Sequence, residues 1–202
     1  MEIIPTTSPQ TDFFIVEKKI SELKEISSWI QIDVTDGSLV KPATFSLELL
    51  NRLDPKPDNL LFDIHLMVKE PLNWIKKCLF VQASRIYGQV EKMSDRCQFI
   101  SEAKNNGLEV GLAFDFDTPI DVDFPCETDI ILLMGRPMGF KSFPFEVSVF
   151  PKIDFLKDRG YKVAIDGGVT LDIFPKLKQH GVDIIYSGEH FLDLKNANQN
   201  RN

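Results

Sequence analysis

The chain has 202 residues, 43% hydrophobic and 26% charged, an ordinary globular composition long enough for one sizeable core, so a single domain is expected. Its net charge of −7 argues against sequence-independent nucleic-acid binding, which needs clustered Lys and Arg, and points to a small-molecule partner. The N-terminus has no basic start followed by an apolar run, and no stretch approaches the roughly 18 apolar residues of a membrane span; no membrane partner is expected and the chain is read as cytoplasmic.

Taken in order, short β-branched runs alternate with helical patterns, the signature of βαβ units around a parallel sheet. Residues 3–5 open as a strand, and Asp12 then caps a helix that carries Val16, Ile20, Leu23 and Ile26 on one face. Strands follow at 29–33, 60–65 and 85–89, then a helix begun at Ser94 and stopped by Asn106-Gly107. Beyond a strand at 109–113, residues 118–129 hold Pro119 and Pro125 and leave room for one helical turn at most. Strands at 130–134 and 162–166 come next. Thr170 caps a helix with Ile173, Leu177 and a stop at Gly181, its first turn loosened by Pro175.

The last strand spans 183–187, and apolar periodicity ends near Leu194. Residues 1–194 therefore read as one parallel eight-stranded (β/α)₈ TIM barrel with a truncated final helix, and 195–202 as a disordered tail. A shortened helix exposes apolar surface, which leaves a homo-oligomer open. Cys78, Cys97 and Cys126 lie far apart with no CxxC pair, so neither a disulfide framework nor a thiolate zinc site is suggested and a reducing compartment fits.

Barrels of this type place their chemistry at the C-terminal ends of the strands. The polar residues there are Gln31 and Asp33, His65, Gln89 and Glu91, Asp115, Gly139, Asp166 with Gly167-Gly168, and Ser187-Gly188-Glu189. Asp33 and Asp166 end strands on opposite sides of the mouth, where two carboxylates take a proton from one face of a sugar and return it on the other. Such chemistry also needs the neighbouring carbonyl polarised, and Asp33, His65 and Asp166 offer three ligands for a divalent metal that would do so. Taken singly, each has a bland reading: Asp as a turn former, His as a hydrogen-bonded core residue, Gly-Gly as a tight turn rather than an anion site. Convergence on one rim favours chemistry.

Several segments, in order, resemble the ribulose-phosphate 3-epimerase family. Ile4-Pro5-Thr6-Thr7-Ser8 resembles its first strand, and Gln31-Ile32-Asp33-Val34-Thr35-Asp36-Gly37 its HxDVMDG motif. Phe62-Asp63-Ile64-His65-Leu66-Met67-Val68, with Pro71 and Trp74, resembles LDVHLMV...P..W. Gly111-Leu112-Ala113, Thr118-Pro119, Met134 with Gly139-Phe140, Ala164-Ile165-Asp166-Gly167-Gly168-Val169 and Ser187-Gly188 complete the order.

The resemblance implies metal-assisted, two-carboxylate epimerisation of a phosphorylated ketose. It makes Asp33 and Asp166 the acid/base pair, and Asp33, His65 and Asp166 ligands of zinc, iron, manganese or magnesium. It also implies that Thr6, Met67, Met134, Gly139, Gly167, Gly168 and Gly188 bind the substrate. Three departures qualify it. Gln31 stands where the family has a second ligating His, which weakens the metal site or shifts it toward a harder ion. The family's GFGGQ loop reads Gly139-Phe140-Lys141-Ser142-Phe143, where Lys141 or Ser142 would have to compensate for two glycines. Glu189 follows Gly188, and it either faces the phosphate, repelling it by ~1 kcal/mol or more, or points outward as the first residue of the last helix. A catalytically degenerate barrel that binds a sugar phosphate or a protein partner is the alternative; a decarboxylase is set aside because the second-strand motif has no Lys.

Overall fold

In the computed structural model, residues 1–53, 59–120, 128–139 and 143–199 are described. Eight parallel strands form one sheet: β1 (Glu2–Pro5), β2 (Trp29–Thr35), β3 (Leu61–Met67), β4 (Ala83–Gln89), β5 (Glu109–Phe114), β6 (Ile130–Met134), β7 (Val163–Asp166) and β8 (Ile184–Ser187). Each pairs with its neighbour in the order β1-β8-β7-β6-β5-β4-β3-β2. The remaining seam is drawn together by a Thr6–Gln31 bridge and a 3.0 Å bond from Thr7 N to Gln31 O, so the sheet closes as a TIM barrel.

Strand alternation explains the core. Ile30, Ile32 and Val34 of β2 point outward into the cluster shared with the helices, whereas Gln31, Asp33 and Thr35 take the opposite face. The inner apolar cluster is smaller and is built from Ile4, Tyr87, Ala113, Ile130, Leu132, Ala164, Ile184 and Tyr186. A barrel interior packed this way is a floor on which polar end residues stand.

The helices are α1 (Phe13–Leu23), α2 (Ile75–Phe80), α3 (Arg96–Asn105), α4 (Phe150–Lys157), α5 (Phe174–Gln179) and α6 (Phe191–Gln199). Asp12 caps α1 by accepting from Phe14 N, and Val16 and Ile20 are buried beneath it, while Ile26 lies past its end and is exposed. The cap of α3 is Asp95, which accepts from Gln98 N, rather than Ser94. Helix α5 starts later than its sequence suggests: Thr170 contributes its carbonyl to Phe174 N, and Pro175 occupies the first turn, where its missing N–H costs nothing.

Helix α6 runs through Leu194 to Gln199, so residues 195–199 are helix and not disordered tail. Its polar end is tied down by Lys195 Nζ donating to Ile26 O and Asn198 Nδ2 donating 3.0 Å to Met1 O. The expected single turn within 118–129 falls mostly outside the described residues. Cys97 is disulfide-bonded, which the absence of a CxxC pair does not suggest, and Cys78 is free and buried. No described helix is long and apolar enough to cross a membrane.

Candidate active site

Three of the predicted residues meet at the barrel mouth. Asp33 on β2 and His65 on β3 are direct neighbours in register, and Asp166 ends β7. His65 Nδ1 lies 3.2 Å from Asp33 Oδ1 and 3.7 Å from Asp166 Oδ2. Its other ring nitrogen, Nε2, is 2.9 Å from Gln89 Oε1. Since an amide oxygen only accepts, that contact puts a proton on Nε2 and turns Nδ1 toward the carboxylates. Thr6 Oγ1 donates to Asp33 Oδ2 at 2.8 Å. One ligand atom from each of Asp33, His65 and Asp166 lies within 4.8 Å of the others, and all three residues are buried. Ligand atoms ~2–2.5 Å from one ion would be separated by about this much.

The cluster is electrically incomplete. Burial raises the Asp166 carboxyl to about 7, reinforced by the Asp33 charge and opposed by His65 and Arg136. Burial pulls His65 down, but its bond to Asp33 and the charges of Asp33 and Asp166 outweigh that and hold it up at about 9. The site therefore gathers positive charge, as protons or as an ion. Gln31 sits on the same face of β2 as Asp33, fully buried, with neither amide atom hydrogen-bonded among the described residues. An orphaned amide costs ~1–3 kcal/mol per group, and a bound species is the usual remedy. The donor set fits a divalent cation.

Above the cluster opens a cavity of about 390 Å³. Thr6, Met67, Met134, Gly139, Gly167, Gly168 and Gly188 all line it. Gly167 and Gly168 have φ of +95° and +72°, and a Cβ on Gly168 would come within 2.9 Å of the Phe145 backbone. Only glycine turns the chain there. Glu189 lines the cavity yet is exposed, in a bend before α6 rather than as its first residue. Lys141 and Ser142 lie outside the described residues.

Other rim candidates are structural. Thr35 Oγ1, with one proton to donate, lies 2.9 Å from Pro42 O and 3.1 Å from Val40 O, pinning its own loop. Glu91 Oε1 accepts from Asp115 N and Thr118 Oγ1, each at 2.7 Å, and so shapes the loop after β5. Sequence reasoning selects Gly139 after β6 and passes over Arg136, which lines the cavity, as do Ser8, Thr170 and His190. The same rule that selects Asp33 would have found Arg136, two residues beyond the end of β6.

Fold and site together define a (β/α)₈ barrel with a buried carboxylate–imidazole cluster at its C-terminal rim. Residues 5–192 match the Ribulose-phosphate 3 epimerase family, and the chain belongs to it. The ribulose-phosphate 3-epimerase of Schizosaccharomyces pombe is 29% identical over 184 residues, 88% of this chain and 81% of the relative. That of Bacillus subtilis is 28% identical over 181 residues, 83% of each chain. Among solved structures, a 3-hexulose-6-phosphate synthase superposes with a TM-score of 0.69 at 11% identity, covering 93% of this chain and 90% of the other. A mutant tryptophan synthase alpha-subunit from the hyperthermophile Pyrococcus furiosus gives 0.68 at 13%, over 96% and 95%. At such identities the likeness speaks for the fold alone.

Proposed function

We propose that this protein epimerises a phosphorylated ketose at the carbon next to its carbonyl, with Asp33 and Asp166 as the acid/base pair. The observation that carries the reading is the pairing of two buried carboxylates, from β2 and β7, at the floor of one cavity. Asp33, anchored as an acceptor by the Thr6 hydroxyl, takes the proton from carbon, and the electron pair moves toward the carbonyl oxygen to give an enediolate. Asp166, whose carboxyl is pushed up by burial and by the Asp33 charge, is the acid that returns a proton to the opposite face of the same carbon. In the reverse direction the two exchange roles. Met67 and Met134 wall the reacting face and keep water from it.

Asp33, His65 and Asp166 would hold a divalent ion, with the Gln31 amide oxygen a further candidate ligand, and such an ion supplies Lewis-acid polarisation of a carbonyl. Gln89 fixes the imidazole tautomer that makes Nδ1 the ligand atom. A set rich in oxygen donors suits manganese or magnesium better than zinc or iron(II).

The test is to incubate the protein with ribulose 5-phosphate in D₂O under added Mn²⁺, Fe²⁺, Mg²⁺ or Zn²⁺ and follow C3 by NMR. Deuterium at C3 together with the C3 epimer is expected. If neither appears with any ion, the loss of an imidazole at Gln31 has left a silent sugar-phosphate-binding barrel, and the catalytic reading falls.

A further inference from the structure

An anionic group entering this cavity meets carboxylates on its walls and needs a cationic side chain to hold it. Asp33, Asp166 and Glu189 all line it, and Arg136 is the one Lys or Arg among the described lining residues. We infer that Arg136 is the residue that fixes the substrate's phosphate, and that it sets the preference for phosphorylated over neutral sugars. This rests on the sugar-phosphate reading above but not on turnover.

The geometry is built for that task. Arg136 leaves the end of β6 on a loop tied to β7: Gly135 N donates to Asp166 O at 2.6 Å, and Gly135 O accepts from Glu146 N at 2.7 Å. The aliphatic stem of Arg136 lies along the trough where Gly167 has no side chain. A Cβ there would meet Arg136 Cγ at 2.9 Å and Nε at 3.4 Å. At the far side Arg136 Nη1 is 3.5 Å from Phe143 O, which helps to aim the guanidinium. Gly167 therefore serves two ends: it makes the turn after Asp166 and it seats the arginine.

The same wall carries Gly168, Ser187 and Gly188, and His190 stands on the α6 side. A planar guanidinium offers two parallel N–H donors to a tetrahedral oxyanion, a match that a point-charge ammonium does not reproduce. Arg136 also lies close enough to Asp166 to pull against the rise in its pKa. A phosphate on Arg136 would thus be held at the end of the cavity next to the carboxylate that protonates carbon, which orients the ketose relative to Asp33 and Asp166.

Binding of ribulose 5-phosphate, unphosphorylated ribulose and inorganic phosphate would be measured by calorimetry on the wild type, Arg136→Met and Arg136→Lys, all with the same metal loading. The wild type should prefer the phosphorylated sugar, and inorganic phosphate should compete for it. Arg136→Met should lose roughly 10- to 100-fold in affinity for ribulose 5-phosphate with little change for ribulose, and Arg136→Lys should recover part of it. A wild type indifferent to the phosphate, or an Arg136→Met variant that keeps the preference, overturns the inference. Metal content and thermal midpoint of each variant separate a folding defect from lost recognition, and Arg136→Gln replaces Arg136→Met if the latter folds poorly. Lost preference without C3 exchange in the wild type would sink the epimerase reading and leave this one standing. Exchange with an unchanged KM in Arg136→Met would do the reverse.

Discussion

Two buried polar clusters share the interior of this barrel, and they are built on opposite plans. In the floor, Arg85 is surrounded by its own complement: Nη1 lies 3.0 Å from Asp63 Oδ2, Nε 2.8 Å from Glu109 Oε2, and the guanidinium 4.4 Å from the Trp29 ring. Tyr186 donates to Asp63 and is 3.0 Å from the Tyr87 hydroxyl. At the mouth, Asp33 and Asp166 crowd one imidazole, and among the described residues neither pairs with a Lys or Arg. A buried charge met by a partner from the same chain is scaffold. One left in excess is retained because its complement arrives from outside, as a proton, an ion or a substrate.

If that division is right, mutations in the two clusters should fail in different currencies. Asp33→Asn and Asp166→Asn should each lower C3 exchange by on the order of 10³–10⁴-fold. Asp166→Asn should leave the metal-free protein as stable or more so near neutral pH, because burial and the Asp33 charge already raise that carboxyl to about 7, whereas Asp33→Asn gives up the bond that holds the His65 imidazolium. Exchange rates by NMR and urea unfolding report the two halves. Arg85→Met should instead destabilise by about 3–5 kcal/mol, since it strands Asp63 in a fully buried site. Converting Asp63 to Leu in the same chain should restore most of that loss. A destabilised Asp166→Asn, or a harmless Arg85→Met, would erase the distinction.

The next effect is a pH dependence that above pH 7 belongs to the mouth, since the floor's buried Asp63, raised to about 7 by burial against the pull of Arg85, contributes its own below that. His65 is raised from 6.5 to about 9 in the folded protein, so between those values the folded state binds more protons than the unfolded one. By linkage, the imidazolium's contribution to metal-free stability is complete below 6.5 and is lost as pH rises through 9. Metal binding runs the other way. Its ligands must shed protons from His65 near 9 and from Asp166 near 7, so affinity should rise roughly tenfold per pH unit for each proton displaced and level off above 9. Thermal unfolding with and without Mn²⁺ from about pH 6 to 9 should therefore show the metal-free midpoint falling while the increment due to metal grows. Parallel curves would place the proton somewhere other than the triad.

Much of this was legible in the sequence, for reasons that also mark where legibility stops. The eight strands announce themselves as β-branched runs, and the rim rule finds Asp33, His65 and Asp166 because each ends or nearly ends such a run. Asp12 was readable as a cap, whereas Ser94 and Asp95 are adjacent candidates and only the backbone geometry separates them. The length of α6 was hidden, because what holds its polar end is a pair of side-chain bonds to carbonyls at Ile26 and Met1, far away in the chain and without periodicity. The floor was hidden for a related reason: Asp63 and Arg85 look like interruptions of apolar strands until the β3–β4 register sets them side by side. Likewise the Gln89 contact that selects the His65 tautomer is a product of pairing and not of pattern.

The smallest predicted effect concerns Glu189, and it measures how far the acidity of the mouth extends. Glu189 lines the cavity but is exposed, so solvent and salt screen its charge far more than those of the buried Asp33 and Asp166. It stands before Phe191, and the acidic residue in the first turn of α6 is Asp193, so replacing it should cost no more than a few tenths of a kcal/mol in stability. Glu189→Ser should tighten ribulose 5-phosphate by roughly two- to fivefold at low salt, opposite in sign to Arg136→Met, with the gain shrinking once the screening length falls to ~10 Å at 0.1 M. Calorimetry at two salt concentrations, beside thermal unfolding of both proteins, is sufficient. A gain that survives high salt would move Glu189 into the unscreened cluster at the mouth. No gain at all would confine the excess negative charge to Asp33 and Asp166, leaving the phosphate end of the cavity to Arg136 alone.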